Sequence, residues 1–338
     1  MRKLIIFGNG LGRALNPIYF DFAEGMHQAW ASETGLTDEE KTILLSALGE
    51  TCTDTGPSHE DDLLGIQIAQ TACSLIANLV GNENISLWLT DNALKVERAI
   101  EKYVFQVANY FQSYEFAEFD ENWKDFTGHF CSFIHSSNSH VATLNYDSLL
   151  YSVFNEKMTF NGRSLPRLCD GFNGNLLDGY TLGLGFCEEN FKRYNVSKKS
   201  FYLHLHGSPL FVESSEGKIV KRLRSEANTL PENRCHVVLA HGKLKPNVIA
   251  ESPVLSLYWK MLNEAISEAG EIVVFGYGGG DDHLNDKLKR RAAEIQVHVV
   301  EYEAPNETTR QRESYWKGLV GGAVRVSRLP NILLFRDW

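Results

Sequence analysis

The chain has 338 residues, of which 43% are apolar and 22% are charged, a composition typical of soluble globular proteins. Its formal net charge of −10 argues against broad contact with nucleic acid or an anionic membrane surface, because both require a basic face. The length suffices for two domains, or for one large domain with an insertion. If the ligand is an anionic nucleotide, the negative net charge implies that backbone N–H groups, rather than many lysines, bind its phosphates.

The N-terminal segment predicts a short buried strand, Lys3–Phe7, which ends at Gly8. This apolar run is too short for a signal-peptide core or a membrane span, and no other stretch is long enough to cross a bilayer. The sequence therefore predicts a cytoplasmic protein. The six cysteines form no C-x-x-C pair and no zinc-ribbon spacing, so we expect neither zinc nor another bound metal.

Residues 37–135 predict a helical insertion. Thr37 and Glu40 form a capping-box pattern at its start. Apolar residues then recur at helical spacing in Asp61–Leu79, Asn92–Phe111 and Trp123–Ile134. We divide the chain into a Rossmann-like domain, residues 1–36 plus 136–338, and this insertion, which either covers the ligand crevice or mediates assembly.

Short segments rich in β-branched or aromatic residues return after the insertion. The predicted strands are Val141–Leu144, Tyr202–Leu205, His236–Leu239, Ile272–Phe275 and Val297–Val300, and the candidate edge strands are Val324–Val326 and Ile332–Phe335. Helical stretches such as Ser256–Ala269 and Leu284–Ala293 lie between some of them. Strands that alternate with helices indicate an α/β fold with a Rossmann-like, doubly wound, mainly parallel sheet.

The first predicted strand is followed by a glycine-rich segment that contains Gly8, Asn9, Gly10 and Gly12. Glycines at this point let the backbone approach a phosphate closely, with a helix beginning behind it. A tight turn from strand to helix is the alternative interpretation.

Asn145 and Asp147 follow the strand Val141–Leu144. Asn145 offers a donor and an acceptor, which suits an amide or a sugar hydroxyl, and Asp147 could orient a neighbour or accept from a ribose. The alternative is an Asn-Asp turn that caps the next helix, Ser148–Phe154.

Two histidines, His204 and His206, stand at the end of another predicted strand. Alternation places both on one face, and Gly207 then releases the chain, so His206 is expected at the sheet edge, where it can act as a general base. His204 is more simply explained as a structural histidine. Ser208 lacks the G-x-S-x-G context of a hydrolase nucleophile.

A fourth cluster follows Ile272–Phe275 and opens a helix: Gly276, Tyr277, Gly278, Gly279, Gly280, Asp281, Asp282 and His283. Its glycines provide another close backbone approach, and Asp281 or Asp282 can cap the helix. A metal site at Asp281, Asp282 and His283 is the alternative, although adjacent side chains rarely converge on one ion.

Glu301 follows the strand Val297–Val300, where a carboxylate can accept hydrogen bonds from an adenosine ribose and repel a ribose phosphate. In doubly wound sheets, ligands bind outside the carboxyl ends of the strands. The clusters after these strands can therefore converge on one nucleotide.

In this order, the motifs resemble those of the sirtuin superfamily. Gly8-Asn9-Gly10 resembles its opening glycine loop, Asn145 and Asp147 its N-x-D motif, and His206-Gly207 its catalytic His-Gly. Gly276-Tyr277-Gly278 with Asp281, His283 and Leu284 resembles the late glycine loop of the bacterial sirtuin-like branch, and Asp170-Gly171-Phe172 is also similar to that branch. The resemblance covers Met1–Pro17 and about Val141–Glu303.

The resemblance implies an NAD hydrolase of the anti-phage defence type, which cleaves NAD to nicotinamide and ADP-ribose and depletes the cell of NAD in abortive infection. NAD is then a substrate. The implied catalytic residues are Asn145, His206 and Asp147, and the implied NAD-binding residues are Gly8, Asn9, Gly10, Gly12, Gly276, Tyr277, Gly278, Asp281, His283 and Glu301. A homo-oligomer, or a hetero-complex with a sensor subunit, controlled by that partner or by a nucleotide signal, is also implied.

Departures from the family pattern argue against deacylation. Gly8-Asn9-Gly10 replaces the usual G-A-G, Leu144 stands where deacylases have glutamine, and the zinc-binding cysteines are missing. An ADP-ribosyl transferase or deacylase that uses the same site, and a non-catalytic NAD- or ADP-ribose-binding regulatory module, remain alternatives. Because the segment Glu301–Thr308 contains no arginine to offset the charge of Glu301, we expect about a tenfold preference for NAD over NADP.

Overall fold

A computed structural model describes residues 1–48, 55–80, 89–115, 120–155, 159–160, 163–164, 168–172, 185–192, 200–226 and 229–338. Its strands are β1 (Lys3–Phe7), β2 (His140–Thr143), β3 (Thr159–Phe160), β4 (Arg163–Ser164), β5 (Tyr202–His204), β6 (Gly207–Glu213), β7 (Ile219–Lys221), β8 (Cys235–Val237), β9 (Glu271–Phe275), β10 (Gln296–Tyr302) and β11 (Val324–Leu329).

Its helices are α1 (Gly10–Leu15), α2 (Phe22–Ala31), α3 (Asp38–Leu48), α4 (Leu64–Val80), α5 (Asp91–Gln112), α6 (Glu121–Ser137), α7 (Leu149–Asn155), α8 (Lys245–Glu251), α9 (Pro253–Glu268), α10 (Asp282–Ala292) and α11 (Thr309–Val320). Short 3-10 turns cover Glu60–Leu63, Glu188–Phe191, Arg224–Glu226 and Ile332–Leu334. No helix in these ranges is both long and apolar enough to cross a membrane.

The central sheet is entirely parallel, with the strand order β11-β10-β9-β1-β2-β5. Counted along the chain, this is the order 3-2-1-4-5-6 of doubly wound dinucleotide-binding sheets. The predicted Rossmann-like α/β fold is therefore confirmed. Leu4–Phe7 in the central strand are fully buried, as expected for a parallel sheet with helices on both faces.

The strand order reverses between β1 and β9, and the register brings the carboxyl ends of the strands to one level. Phe7 lies opposite Thr143 on one side and opposite Phe275 on the other. Thr143 in turn lies opposite His204, and Phe275 lies opposite Val300. The residues that follow these five strands therefore leave the sheet side by side, at the edge where such folds bind ligands.

The sheet is enclosed by two helical layers. On one face, the rings of Phe126 and Phe130 in α6 contact Phe7 and Phe275 with centroid separations of 5.2–5.4 Å. Helices α9, α10 and α11 pack together on the other face. Although α6 falls at the end of the predicted insertion, it packs directly on the sheet, as a crossover helix between β1 and β2 does.

Helices α3, α4 and α5 of the insertion pack against one another, and α2 also packs against α5. The predicted capping box is confirmed at the start of α3: the Thr37 backbone N–H donates to Glu40 over 2.9 Å, and Glu40 N–H donates to Thr37 Oγ1 over 3.2 Å. Helix α3 thus begins where the capping-box pattern predicts it.

The prediction that His236–Leu239 joins the parallel sheet is wrong. The corresponding strand, β8, pairs antiparallel with β6 in a separate three-stranded sheet, β7-β6-β8. Gly207 has φ +80°, and this left-handed residue starts β6 directly after His206. The chain therefore turns out of the parallel sheet and provides a partner for β8.

The prediction of an edge strand at Ile332–Phe335 is also wrong, because the segment forms a 3-10 turn. Asn331 caps this turn by accepting from Leu333 N–H over 2.9 Å. Ile332, Leu333 and Phe335 are buried. A short apolar run does not reveal whether a buried segment is a strand or a helical turn. The other candidate edge strand, Val324–Val326, is confirmed as part of β11.

Candidate active site

A cavity of about 630 Å³ opens at the carboxyl ends of the central strands. Gly8 after β1, Asn145 after β2, His206 after β5 and Gly276 after β9 all line it. The cavity therefore lies at the point where the strand order reverses. Four separate predicted clusters meet there, as the sequence analysis expected.

The two glycine loops touch each other backbone to backbone. Gly10 N–H donates to the Gly276 carbonyl over 2.7 Å, and a Cβ atom at Gly10 would lie only 2.6 Å from that oxygen. Gly276 has φ +62°, and its own Cβ would lie 2.8 Å from Leu11 N. Only glycine fits at either position, so these glycines serve the contact between the two loops.

Two predicted site residues do not reach the cavities. Gly12 is buried against the ring of Phe20, where a Cβ would lie 2.4 Å from the ring. His283 is half-buried and packs on Trp259, with ring centroids 4.4 Å apart. Asn9 does line the cavity, and its Nδ2 donates to the Phe20 carbonyl over 2.7 Å.

The side-chain amide of Asn145 is hydrogen-bonded through its nitrogen but not through its oxygen. Its Nδ2 donates to the Gly8 carbonyl over 3.1 Å, and its backbone N–H donates to Thr143 Oγ1 over 3.0 Å. Its Oδ1 is buried and has no hydrogen-bond partner among the described residues. Because buried polar atoms are normally paired, an oxygen left unpaired in a cavity wall is well suited to a donor on a ligand.

Asp147 acts first as a helix cap, which was the alternative interpretation. Its Oδ1 accepts from Leu149 N–H over 3.0 Å at the start of α7. Its Oδ2 is buried without a partner among the described residues, although Asp147 also lines the cavity. Burial raises the pKa of Asp147 to about 7 from its ordinary value of 3.8.

The raised pKa of Asp147 predicts a pH-dependent stability. The contribution of the carboxyl group is fully present below about pH 4 and is lost as the pH rises through 7, since the folded protein prefers the protonated form. Asp147→Asn should therefore gain stability relative to the unsubstituted chain by up to about 4 kcal/mol between pH 4 and pH 8. Urea unfolding of both chains at these two pH values measures the gain. An equal difference at both would contradict it.

His206 forms a close pair with Asp281. Its Nε2 lies 2.9 Å from Asp281 Oδ2, and both side chains are buried. Asp281 Oδ1 also caps α10 by accepting from Leu284 N–H over 3.1 Å. Although burial alone would raise the pKa of Asp281, the hydrogen bond from His206 and the charges of His206 and Lys245 hold it well below its usual range. Asp281 is therefore a carboxylate that orients the imidazole.

His204 is separate from the site, as its structural interpretation predicted. Its ring is enclosed by aromatic rings of Tyr151, Tyr202 and Phe211 at centroid separations of 4.6–5.2 Å. Burial lowers the pKa of His204 to about 3. The chain leaves β5 after His204, so only His206 reaches the cavity.

Asp170, from the segment Asp170-Gly171-Phe172, is also structural. It is fully enclosed, with Lys221 Nζ 2.8 Å from its Oδ2 and the Tyr151 hydroxyl donating to the same oxygen. It lines neither cavity.

The metal-site alternative does not assemble, because Asp281 is directed to His206 while His283 packs on Trp259. In the part of the chain that the structure describes, no group of three or more His, Cys, Asp or Glu side chains could hold a metal ion.

Several charged residues in the cavity wall were not predicted from the sequence. Lys245, at the start of α8, is buried, and its Nζ lies 2.7 Å from Glu60 Oε2 and 3.7 Å from Asp281 Oδ2. Glu60 belongs to the insertion, as do the lining residues His59, Asp61 and Phe111. Residues of the insertion thus form part of the cavity wall. No local pattern in the sequence marks either Lys245 or Glu60.

A second cavity, of about 820 Å³, adjoins the first. The residues that line both are Gly10, Arg13, Gly276, Tyr277 and Gly278. The second cavity continues past β10, where Glu301 and Arg312 line it. Arg13, which the sequence did not predict either, lines both cavities, and its Nη1 lies 3.6 Å from Asp21 Oδ2. Together they form a continuous crevice across the switch point.

The expectation that no arginine offsets Glu301 is wrong. Arg312, one turn into α11, donates to the two carboxylate oxygens over 2.8 and 2.9 Å, and Trp316 Nε1 donates over 3.1 Å. Arg328 Nε lies 3.6 Å from Oε1. The negative charge that was expected to repel a ribose phosphate is therefore paired, which removes the reason given for a preference for NAD over NADP.

Removing Arg312 should restore that preference. In Arg312→Gln, Glu301 loses its bidentate partner, so the ratio of kcat/KM for NAD to that for NADP should rise toward about tenfold. Arg310→Gln is the matched control, since Arg310 lies on the same helix and is exposed. Assays of the three chains with both nucleotides measure the ratio. An unchanged ratio in Arg312→Gln would show that Glu301 does not discriminate between NAD and NADP.

Comparison with known proteins does not extend the motif resemblance: no protein-family model matches the chain, and no curated protein matches it. Its function is therefore inferred from the geometry of the crevice.

Proposed function

We propose that the chain hydrolyses NAD to nicotinamide and ADP-ribose. One observation carries this proposal: two cavities meet at glycine loops across the switch point, one ending at the His206–Asp281 pair and the other at Glu301. This arrangement has the reach and polarity that a dinucleotide requires, since doubly wound sheets bind dinucleotides across the same crevice.

Each part of NAD has a matching part of the crevice. The adenosine would occupy the second cavity, near Glu301. The pyrophosphate would cross the two glycine loops where Gly10 and Gly276 meet, and Arg13, which lines both cavities, would supply a positive charge. The nicotinamide ribose would then lie in the first cavity, within reach of Asn145 and His206.

The reaction breaks the bond between nicotinamide and the ribose C1′. Nicotinamide leaves with the electron pair of that bond, through an oxocarbenium-like state comparable to that of glycoside cleavage. Water adds to C1′, and His206 accepts its proton as general base. Asn145 Oδ1, which is unpaired in the cavity wall, would accept a hydrogen bond from the water or a ribose hydroxyl, and Asp147 would stand beside it.

On the motif resemblance, we further propose that this NADase is a cytoplasmic effector of anti-phage defence. It would act as a homo-oligomer or in complex with a sensor subunit, and a partner or nucleotide signal would control it. The negative net charge fits a partner other than nucleic acid.

The test combines binding with product analysis. Calorimetry with NAD and with ADP-ribose measures binding, and chromatography measures release of nicotinamide and ADP-ribose from NAD by the purified chain and by bacteria that express it during phage infection. Equal amounts of the two products support hydrolysis. Nicotinamide without free ADP-ribose would indicate transfer to another acceptor. Binding without nicotinamide release in either setting would indicate a regulatory module, and absence of binding would refute the proposal.

A further inference from the structure

Four ionisable side chains form a line from the insertion to the proposed catalytic base. Glu60 Oε2 lies 2.7 Å from Lys245 Nζ, which lies 3.7 Å from Asp281 Oδ2, and this oxygen lies 2.9 Å from His206 Nε2. We propose that Glu60 and Lys245 are positioning residues that control His206 through Asp281, so that docking of the insertion completes the catalytic side of the crevice. This inference rests on the proposed function.

The first step is the tautomer of His206. An ionised carboxylate only accepts hydrogen bonds, so the ring nitrogen beside Asp281, Nε2, carries the proton. The neutral ring then has its lone pair on Nδ1. Nδ1 has no hydrogen-bond partner among the described residues, and His206 lines the cavity. Asp281 therefore makes Nδ1 the atom that accepts the proton from water.

The second step is charge. A carboxylate beside an imidazole favours the protonated ring, which cannot act as a base. The ammonium group of Lys245 on the other side of Asp281 opposes that effect, and Glu60 in turn offsets Lys245. Tyr146, whose ring centroid lies 6.3 Å from that of His206, and Asp147 also stand in the cavity wall. Arg13, His59, Asp61 and Tyr277 line the same cavity.

The third step is the attachment of Glu60. Its 3-10 turn is closed by Asp62, which accepts from the N–H groups of Ser58 and His59 over 2.9 Å each. On the following helix, Gln67 donates to the Leu239 carbonyl over 3.2 Å and accepts from His241 N–H over 2.9 Å. The insertion is thus tied to the loop that leads to Lys245, and displacing it would remove Glu60 from the line.

The test compares Lys245→Met, Lys245→Arg and Glu60→Gln through the pH dependence of kcat/KM for NAD between pH 5 and pH 9. Lys245→Met leaves the Asp281 charge unopposed, so the acidic limb of the profile should move up by about one pH unit. Activity should then fall by up to about tenfold on the acidic limb and change little at pH values above it. Glu60→Gln should move the same limb to lower pH, and Lys245→Arg should keep the original profile.

Titration of His206 by ¹⁵N NMR, without NAD, provides a readout independent of catalysis. The same order of midpoints is expected: highest in Lys245→Met, lowest in Glu60→Gln, and unchanged in Lys245→Arg. If NAD is not cleaved at all, this order still supports the line of charges while the proposed function fails. Midpoints that are unchanged, or that move in one direction in both Lys245→Met and Glu60→Gln, would overturn the inference, as would a pH-independent loss of activity.

Discussion

Replacing His206 with alanine should lower kcat/KM for NAD cleavage by about 10²–10⁴-fold, the usual cost of losing a general base. The reason is that His206 lines the cavity while one of its ring nitrogens is held by Asp281. Asn145→Ala should have an effect of similar size, since it removes both the unpaired Oδ1 and the link from Nδ2 to Gly8.

His129→Ala is the matched control, because His129 is an exposed histidine on α6 and lies outside both cavities. Nicotinamide release is measured under the conditions in which the unsubstituted chain is active, and circular dichroism checks that each variant is folded. Folded His206→Ala and Asn145→Ala chains with full activity would show that the catalytic residues have been assigned to the wrong positions.

The sequence predicted those site residues that come directly after a predicted strand. Asn145 and His206 could be placed because the carboxyl ends of parallel strands share one edge, so residues distant in the chain become neighbours. The glycines Gly8, Gly10 and Gly276 were found for the same reason. Their direct backbone contact is a property of loop packing that no local pattern reveals.

Residues that reach the site through tertiary docking could not be predicted. Glu60 comes from the insertion and Lys245 from the start of a short helix, and only their packing brings them together. The pairing of Glu301 with Arg312 likewise depends on how α11 lies against β10.

His283 shows the opposite error. It lies two residues after Asp281, and at about 100° per residue along a helix it faces away from the cavity. Closeness to Asp281 in the sequence therefore did not predict which way the His283 side chain points in the first turn of α10.

Gly207→Ala should be severely destabilising, because a side chain at that residue lowers the free energy of unfolding in two independent ways. Its φ of +80° is a conformation that side chains rarely adopt, and a Cβ there would lie 1.9 Å from the His236 carbonyl oxygen. That oxygen cannot move away easily, since β8 is paired with β6 and Val238 N–H donates to the His206 carbonyl over 2.8 Å. The backbone of His206 would have to shift instead.

Gly217→Ala separates the two costs, since Gly217 has φ +71° but nothing within 4 Å of an added Cβ. It should lose about 1–2 kcal/mol of unfolding free energy for the left-handed backbone alone. Gly207→Ala should exceed this loss by at least about 2 kcal/mol. Urea unfolding of both variants gives the comparison, and nicotinamide release from any folded Gly207→Ala reports whether His206 has moved. Equal losses in the two variants would mean that β8 yields to the added methyl group, so that the turn after His206 does not fix the position of the base.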